Sequence, residues 1–247
     1  MNVSLYQAAA AMNAQNRWMD AISGNLASSA LPGYKKQEVS FSAVAAGLMP
    51  GNGTQRIPYV QPTAKSGINF QPGELKFTGS PTDIALEGRG FFSYQLADGR
   101  TGYTRDGEFK MDTQGRLVTK QGLPVLGEGG PIMLDTRNPA PISITPNGDV
   151  TQGADRKGRL RVVDFPDPGR LTPVSGANFV ASEPGIEPQS LNTPSIRQGF
   201  LEASNTSSVT EMVKLIGAMR SFEANQRIVQ MQDERMGRAI SELGNGN

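Results

Sequence analysis

The chain has 247 residues and a net charge of +1, and it contains 29 Gly and 17 Pro but neither Cys nor His. Without those last two residue types there is no disulfide framework, no thiolate nucleophile, no Cys/His metal site and no Ser-His-Asp triad. A charged fraction of 19% with a balance so close to zero argues against a nucleic-acid surface, which needs clustered Lys and Arg.

The first basic residue is Arg17, so no charged n-region of a secretory signal is present, and no apolar run approaches the ~18 residues of a membrane span. The expectation is a protein with no cleaved signal peptide and no membrane insertion. Residues 1 to 30 are rich in Ala, Met, Gln and Asn and have no Pro or Gly before Gly24. Leu5, Ala9, Met12, Asn16, Met19, Ser23 and Leu26 alternate in steps of four and three, a heptad-like seam with polar interruptions. Tyr6, Trp18 and Ile22 add apolar area beside it.

Residues 50 to 73 carry Pro50, Pro58, Pro62 and Pro72 with four glycines, which reads as an extended connector with little core. We place the connector at 46–78. From Gly79 short β-like runs begin, separated by Asp98-Gly99, Asp106-Gly107, Thr113-Gln114-Gly115 and Gln121-Gly122. Such turns between short strands predict successive hairpins. Further β-runs at 142–145, 159–165 and 178–181 extend a β-rich domain over 79–200. Residues 201–247 turn helical again. Met212, Leu215, Met219, Phe222, Gln226, Val229, Asp233, Met236, Ile240 and Leu243 form a second seam of three and four. Ser208 and Glu211 fit a capping box ahead of it. Residues 1–45 and 201–247 are therefore assigned to one discontinuous helical domain. The fold class is α+β: terminal helices pairing in a coiled-coil-like manner around a central antiparallel β-rich domain. The seams are narrow and contain Met, Ala, Asn and Gln, which suits packing between chains, and Asn16, Gln226 and Asp233 are placed to set register.

Chemistry-bearing motifs are scarce. Gly88-Arg89-Gly90 and Gly127-Glu128-Gly129-Gly130 lack a phosphate-loop pattern and read as turns. Asp106, Glu108 and Asp112 read as turn residues rather than paired acids. Lys35 and Lys36 read as a solvated basic pair. No catalytic residue, metal ligand or cofactor is assigned. A carboxylate-dependent carbohydrate-active or carbohydrate-binding β-protein is the alternative, and a coiled-coil adaptor a third reading.

Three stretches carry a family resemblance. "ISGNLASSALPGYKKQEVSF", residues 22–41, resembles the N-terminal signature of bacterial flagellar rod and hook proteins. Asn25, Leu26, Ala27, Gly33, Lys35 and Phe41 match the pattern, whereas Gly24, Ser28 and Tyr34 replace Asn, Asn and Phe. The stretch from Gly73 to Gly127 is similar to the family's centre through Gly73 with Thr78-Gly79, Asp83-Ile84-Ala85, Gly90-Phe91-Phe92, and Tyr103-Thr104-Arg105-Asp106-Gly107 with Phe109. "GFLEASNTSSVTEMVKLIGAMRSFEANQRIV", from Gly199, resembles its C-terminal opening and helix. Residues 46–70 and 130–198 carry little of the pattern. The resemblance implies a rod subunit of the proximal-rod or distal-rod type, without enzymatic activity. It implies export by the flagellar apparatus with the terminal helices largely unfolded, followed by their pairing around a central channel. Other rod and hook proteins, copies of the same chain and the export apparatus are then the partners, with no nucleic acid among them. The assembly residues would be Leu5, Met12, Met19, Ile22, Leu26, Met212, Leu215, Met219, Phe222, Val229, Met236 and Ile240. Asn25, Leu26, Ala27, Gly33 and Lys35 would form the signature turn.

Overall fold

The computed structural model describes residues 3–50 and 56–244. The chain divides into two compact units, one formed by residues 1–26, 37–67 and 208–247, the other by 27–36 and 68–207.

In the first unit, helix α1 spans Val3–Ala27 and helix α2 spans Ser208–Gly244. Long Pro-free runs rich in Ala, Met and Gln favour both helices. Ala14, Ala21, Ile22 and Asn25 are buried on α1, as are Glu211 and Ala218 on α2. The two helices touch where the Gln15 Nε2 donates to the Ala218 carbonyl at 3.1 Å. The connector expected over 46–78 is extended, but much of it is paired. Strand β1 (Gln37–Pro50) and strand β2 (Arg56–Ile68) form a two-stranded sheet. Ser42 bonds Thr63 at 2.9 Å, and the Ser40 hydroxyl donates to the Lys65 carbonyl. These cross-strand bonds run in opposite senses along the two strands, as in an antiparallel pair. Trp18 on α1 meets Phe41 on β1 edge-on with ring centroids 6.0 Å apart, and Arg17 donates to the Ala64 carbonyl. The prolines that made the stretch read as unpaired fit a lone two-stranded ribbon, which is all edge, because Pro is excluded only from central strands.

The second unit contains β3 (Leu75–Phe77), β4 (Ile84–Leu86), β5 (Phe91–Gln95), β6 (Thr101–Thr104) and short strands onward to Phe200–Glu202. Hairpins expected at Asp98-Gly99 and Thr113-Gln114-Gly115 are present, but Asp106-Gly107 closes none, because β6 pairs instead with β5 and with Asn178–Val180. β5 and β6 pair antiparallel across the Asp98-Gly99 turn, and Lys110–Met111 pairs with Leu117–Val118 across Thr113-Gln114-Gly115. A six-stranded antiparallel sheet runs in the order Thr172–Ser175, Asn178–Val180, β6, β5, Val162–Asp164, Gln189–Ser190. Both of its faces are covered. Strand alternation sends Phe92 and Val162 into one core with Ile84, Leu117, Val150 and Ile196, and sends Phe91 and Val163 into another with Tyr103, Phe165 and Phe179. That is why Phe91-Phe92-Ser93-Tyr94 is apolar with little alternation: every residue in the run is buried.

The acids weighed as a candidate pair serve turns instead. The Asp106 carboxylate accepts from the Glu108 amide at 2.9 Å, and the Asp112 carboxylate accepts from the amides of Gln114 and Arg116. Burial pushes the Asp106 carboxyl up to about 6, with the charges of Glu108 and Asp83 acting in the same direction. A carboxyl raised above its unfolded value of ~3.9 binds a proton more readily in the folded chain, so its contribution to stability is complete below that value and is lost as pH rises to about 6. Asp106→Asn keeps an acceptor for the Glu108 amide and abolishes this titration. Thermal melts between pH 4 and 7 are expected to show the mutant gaining on the wild type as pH rises, and parallel curves would contradict the assignment.

Candidate functional site

The most concentrated chemistry in the second unit is a buried ion cluster. The Lys35 ammonium lies 2.5 Å from Glu202 Oε1, with side-chain exposures of 0% and 1%. Glu202 Oε1 also accepts from the Gly73 amide at 2.8 Å, while Oε2 faces Arg105 Nη1 at 3.4 Å. Two cations thus share one carboxylate, and backbone carbonyls take up the surplus donors: Lys35 reaches the Gln71 carbonyl at 2.9 Å, and Arg105 reaches those of Leu86 and Gly88. The Arg105 guanidinium also lies 5.4 Å from the centroid of the Phe91 ring, a cation–π contact. Its Nε has no acceptor among the described residues. Burial draws the pKa of both cations down, and Glu202 opposes that shift at each.

Lys35 is therefore no solvated lysine, and the reading of Lys35-Lys36 as a surface pair is corrected. The local backbone explains why. After α1 the chain turns through Leu31, Pro32 and Gly33, and Gly33 adopts φ +68°. Its amide donates to the Glu202 carbonyl at 2.7 Å, and a Cβ there would fall 2.3 Å from the Arg105 carbonyl carbon. Gly73 is as constrained, since a Cβ would lie on the Ala203 carbonyl oxygen. The chain segments at 33–36, 69–73 and 202–205 are thereby held side by side. Asn205 completes the arrangement: its Oδ1 accepts from the Lys36 amide, and its Nδ2 donates to the carbonyls of Asn69 and Gln71. Within the first unit, Asn25 does the same for β1. Its side chain accepts from the Gln37 amide and donates to the Gln37 carbonyl, both at 2.8 Å, imitating a neighbouring strand.

Of the signature residues, Asn25, Gly33 and Lys35 are buried, Leu26 is half-buried and Ala27 exposed. Sequence reasoning missed the roles of Glu202, Arg105 and Asn205, although each stands inside a motif that carries the resemblance. The candidate assembly residues divide. Ile22 is buried; Met12, Met19, Leu26, Leu215, Phe222 and Val229 are half-buried; Met212 and Met219 are exposed. Asn16, Gln226 and Asp233 are exposed as well. The side chains of Leu5, Met236 and Ile240 lie outside the described residues. Along α2 the least exposed positions are Glu211, Leu215, Ala218, Phe222, Asn225, Val229 and Gln232. That is a seam of the expected period, displaced by one residue at alternate steps. The opposite face holds Val209, Met212, Val213, Ile216 and Met219, from 51% to 69% exposed.

Removing one member of a buried pair strands the other charge, at about 3–5 kcal/mol. Lys35→Met is expected to destabilise the second unit by about that much in denaturant unfolding. Glu202→Gln, which leaves two cations facing each other, is expected to cost at least as much. In a double-mutant cycle with Arg105→Met, additive losses would show that the three groups do not act as one cluster.

The comparisons follow the same residues. The family described as flagellar hook protein FlgE/F/G D1 domain matches residues 85–152, and that described as flagellar basal body rod FlgEFG protein C-terminal matches 197–242. The first match runs past residue 130, where the resemblance read from sequence had faded. The chain is 33% identical over 251 residues to the flagellar basal-body rod protein FlgF of Caulobacter vibrioides, covering all of both chains. It is 31% identical to FlgG of Borreliella burgdorferi, over 95% of this chain and 96% of that one. With FlgF of Escherichia coli the identity is 29%, over 97% of each. None of these relatives supports the carbohydrate-active alternative. With full-length similarity at this level, and with Lys35, Arg105 and Glu202 joining all three motifs in one buried cluster, the chain belongs to the flagellar basal-body rod protein family.

Proposed function

We propose that this chain is a structural subunit of the flagellar basal-body rod, assembling with related axial proteins and with copies of itself into the hollow shaft that carries motor torque. The observation that carries this reading is the double-sided character of α2. One side is covered within the chain, where Glu211 and Ala218 are 2% and 0% exposed. The other exposes Val209, Met212, Val213, Ile216 and Met219 over three turns of one face. A contiguous exposed apolar strip of this kind marks an interaction surface, and a second helix fits it. The assembly residues expected from sequence then play two parts. Ile22, Leu215, Phe222 and Val229 hold the subunit's own helices, while Met212 and Met219 face neighbours. Its place is the periplasm-spanning rod, reached through the flagellar export apparatus, and its work is mechanical rather than catalytic. No helix among the described residues is long and apolar enough to cross a membrane, in keeping with a rod component.

A pair of substitutions tests this. Ile216 is 53% exposed, so Ile216→Asp is expected to leave the melting of the isolated chain unchanged. In an interface it would bury an unpaired carboxylate, lowering recovery in purified basal bodies by about tenfold or more and abolishing motility. Phe222→Ala is expected to weaken the isolated chain by roughly half of the ~3–5 kcal/mol of a fully buried Phe→Ala. Normal recovery and motility for Ile216→Asp would refute the use of this face in the rod.

A further inference from the structure

Two features of the second unit stand apart from the helices, and one of them borders the ion cluster. The first is Phe77, at 73% the most exposed large hydrophobic side chain among the described residues. It stands at the end of β3, its ring 5.2 Å from that of Phe200, with Gly79 and Gly199 beneath it. The amides of Thr78 and Gly79 both donate to the Gly199 carbonyl, so the backbone below the ring is fixed. The second is a recess of about 480 Å³ lined by Phe70, Phe91, Phe165, Pro166, Pro168 and Arg105 among others. Its aromatic rings already meet one another edge-on, Phe70 to Phe91 at 5.7 Å and Phe91 to Phe165 at 5.8 Å.

We propose that Phe77 of one copy of this chain inserts into the Phe70–Phe91–Phe165 recess of the next copy. The sizes fit: a cavity of ~150 Å³ already takes a benzene ring, so the recess accepts a benzyl group together with backbone beside it. The chemistry fits as well. Aromatic edges favour an incoming ring in edge-to-face geometry, and Arg105 supplies a cation at the wall. Knob and hole are different surfaces of the same chain, so the contact is heterologous. Each copy keeps a free Phe77 at one end of the array and a free recess at the other, the arrangement that builds an open helix. This inference rests on the rod reading and adds to it a contact made by the β-unit.

The test places the photoreactive analogue p-benzoyl-phenylalanine at position 77 in cells, with basal bodies isolated after irradiation and adducts mapped by mass spectrometry. The expected adduct joins two copies of this chain and maps to Phe70, Phe165, Pro166 or Pro168. Phe77→Ala is expected to melt like the wild type and to be recovered in basal bodies about tenfold less or worse, the weight of a hot-spot aromatic. Pro166→Trp, which fills the recess from its rim, is expected to give the same loss, while Phe77→Trp retains assembly. An adduct elsewhere on the chain, an adduct to a different axial protein, or wild-type recovery of Phe77→Ala would overturn the proposal while leaving the rod reading intact. Absence of the wild-type chain from basal bodies would overturn the rod reading, and this contact with it.

Discussion

A carboxylate removed from water keeps its charge only where cations and amide donors replace the hydration it has lost. Around Glu202 those replacements are Lys35, Arg105 and the Gly73 amide, each from a different stretch of chain. The consequences spread outward. Lys35 can reach Glu202 only if the chain turns sharply after α1, hence the left-handed Gly33. The backbone at 73 must press against Ala203, hence a residue without a Cβ. Arg105 directly follows β6, so the end of a central strand is fixed to the same point. Because all the ionic partners are buried, none of these positions has a solvent-exposed substitute.

The sheet follows from that anchoring. β5 and β6 lie at its centre with cores on both faces, and Arg105 over Phe91 links the ion cluster to one of those cores directly. In the first unit, α1 finds Trp18 a partner in Phe41 and, through Gln15, reaches α2. Each unit has its own reason to hold together, and exposed apolar side chains are most numerous on α2, while Phe77 is the most exposed of them among the described residues.

Much of this architecture was legible in sequence. Asp98-Gly99 and Thr113-Gln114-Gly115 marked two hairpins, although Asp106-Gly107 marked none, and Pro-free stretches with a three-four period marked both helices. What was not legible had physical causes. The β1–β2 ribbon lacks strict alternation and carries prolines, which a ribbon with two edges tolerates. Lys35 read as exposed because its partner lies 167 residues away, beyond any local pattern. Along α2 the positions covered within the chain differ from the expected seam at alternate steps, with Glu211 and Ala218 buried and Met212 and Met219 exposed. In the structure Glu211 is covered and bonded to Lys214 at 2.6 Å, while Met212 faces outward. Lys35, Arg105 and Glu202, one in each stretch that carries the resemblance, are the three members of one cluster.

The side-by-side arrangement of residues 33–36, 69–73 and 202–205 also bears on mechanics. The chain enters and leaves the β-unit at these three places, so a pull applied through either helix or through the β1–β2 ribbon arrives at the same knot of bonds. The Gly33 amide on Glu202, the Lys36 amide on Asn205 and the Lys35 ammonium on Gln71 cross-tie all three strands of chain. A load on one is divided among the others, and yielding requires several bonds to fail together. A shaft under alternating twist would spread fatigue over several bonds of such a tie at once.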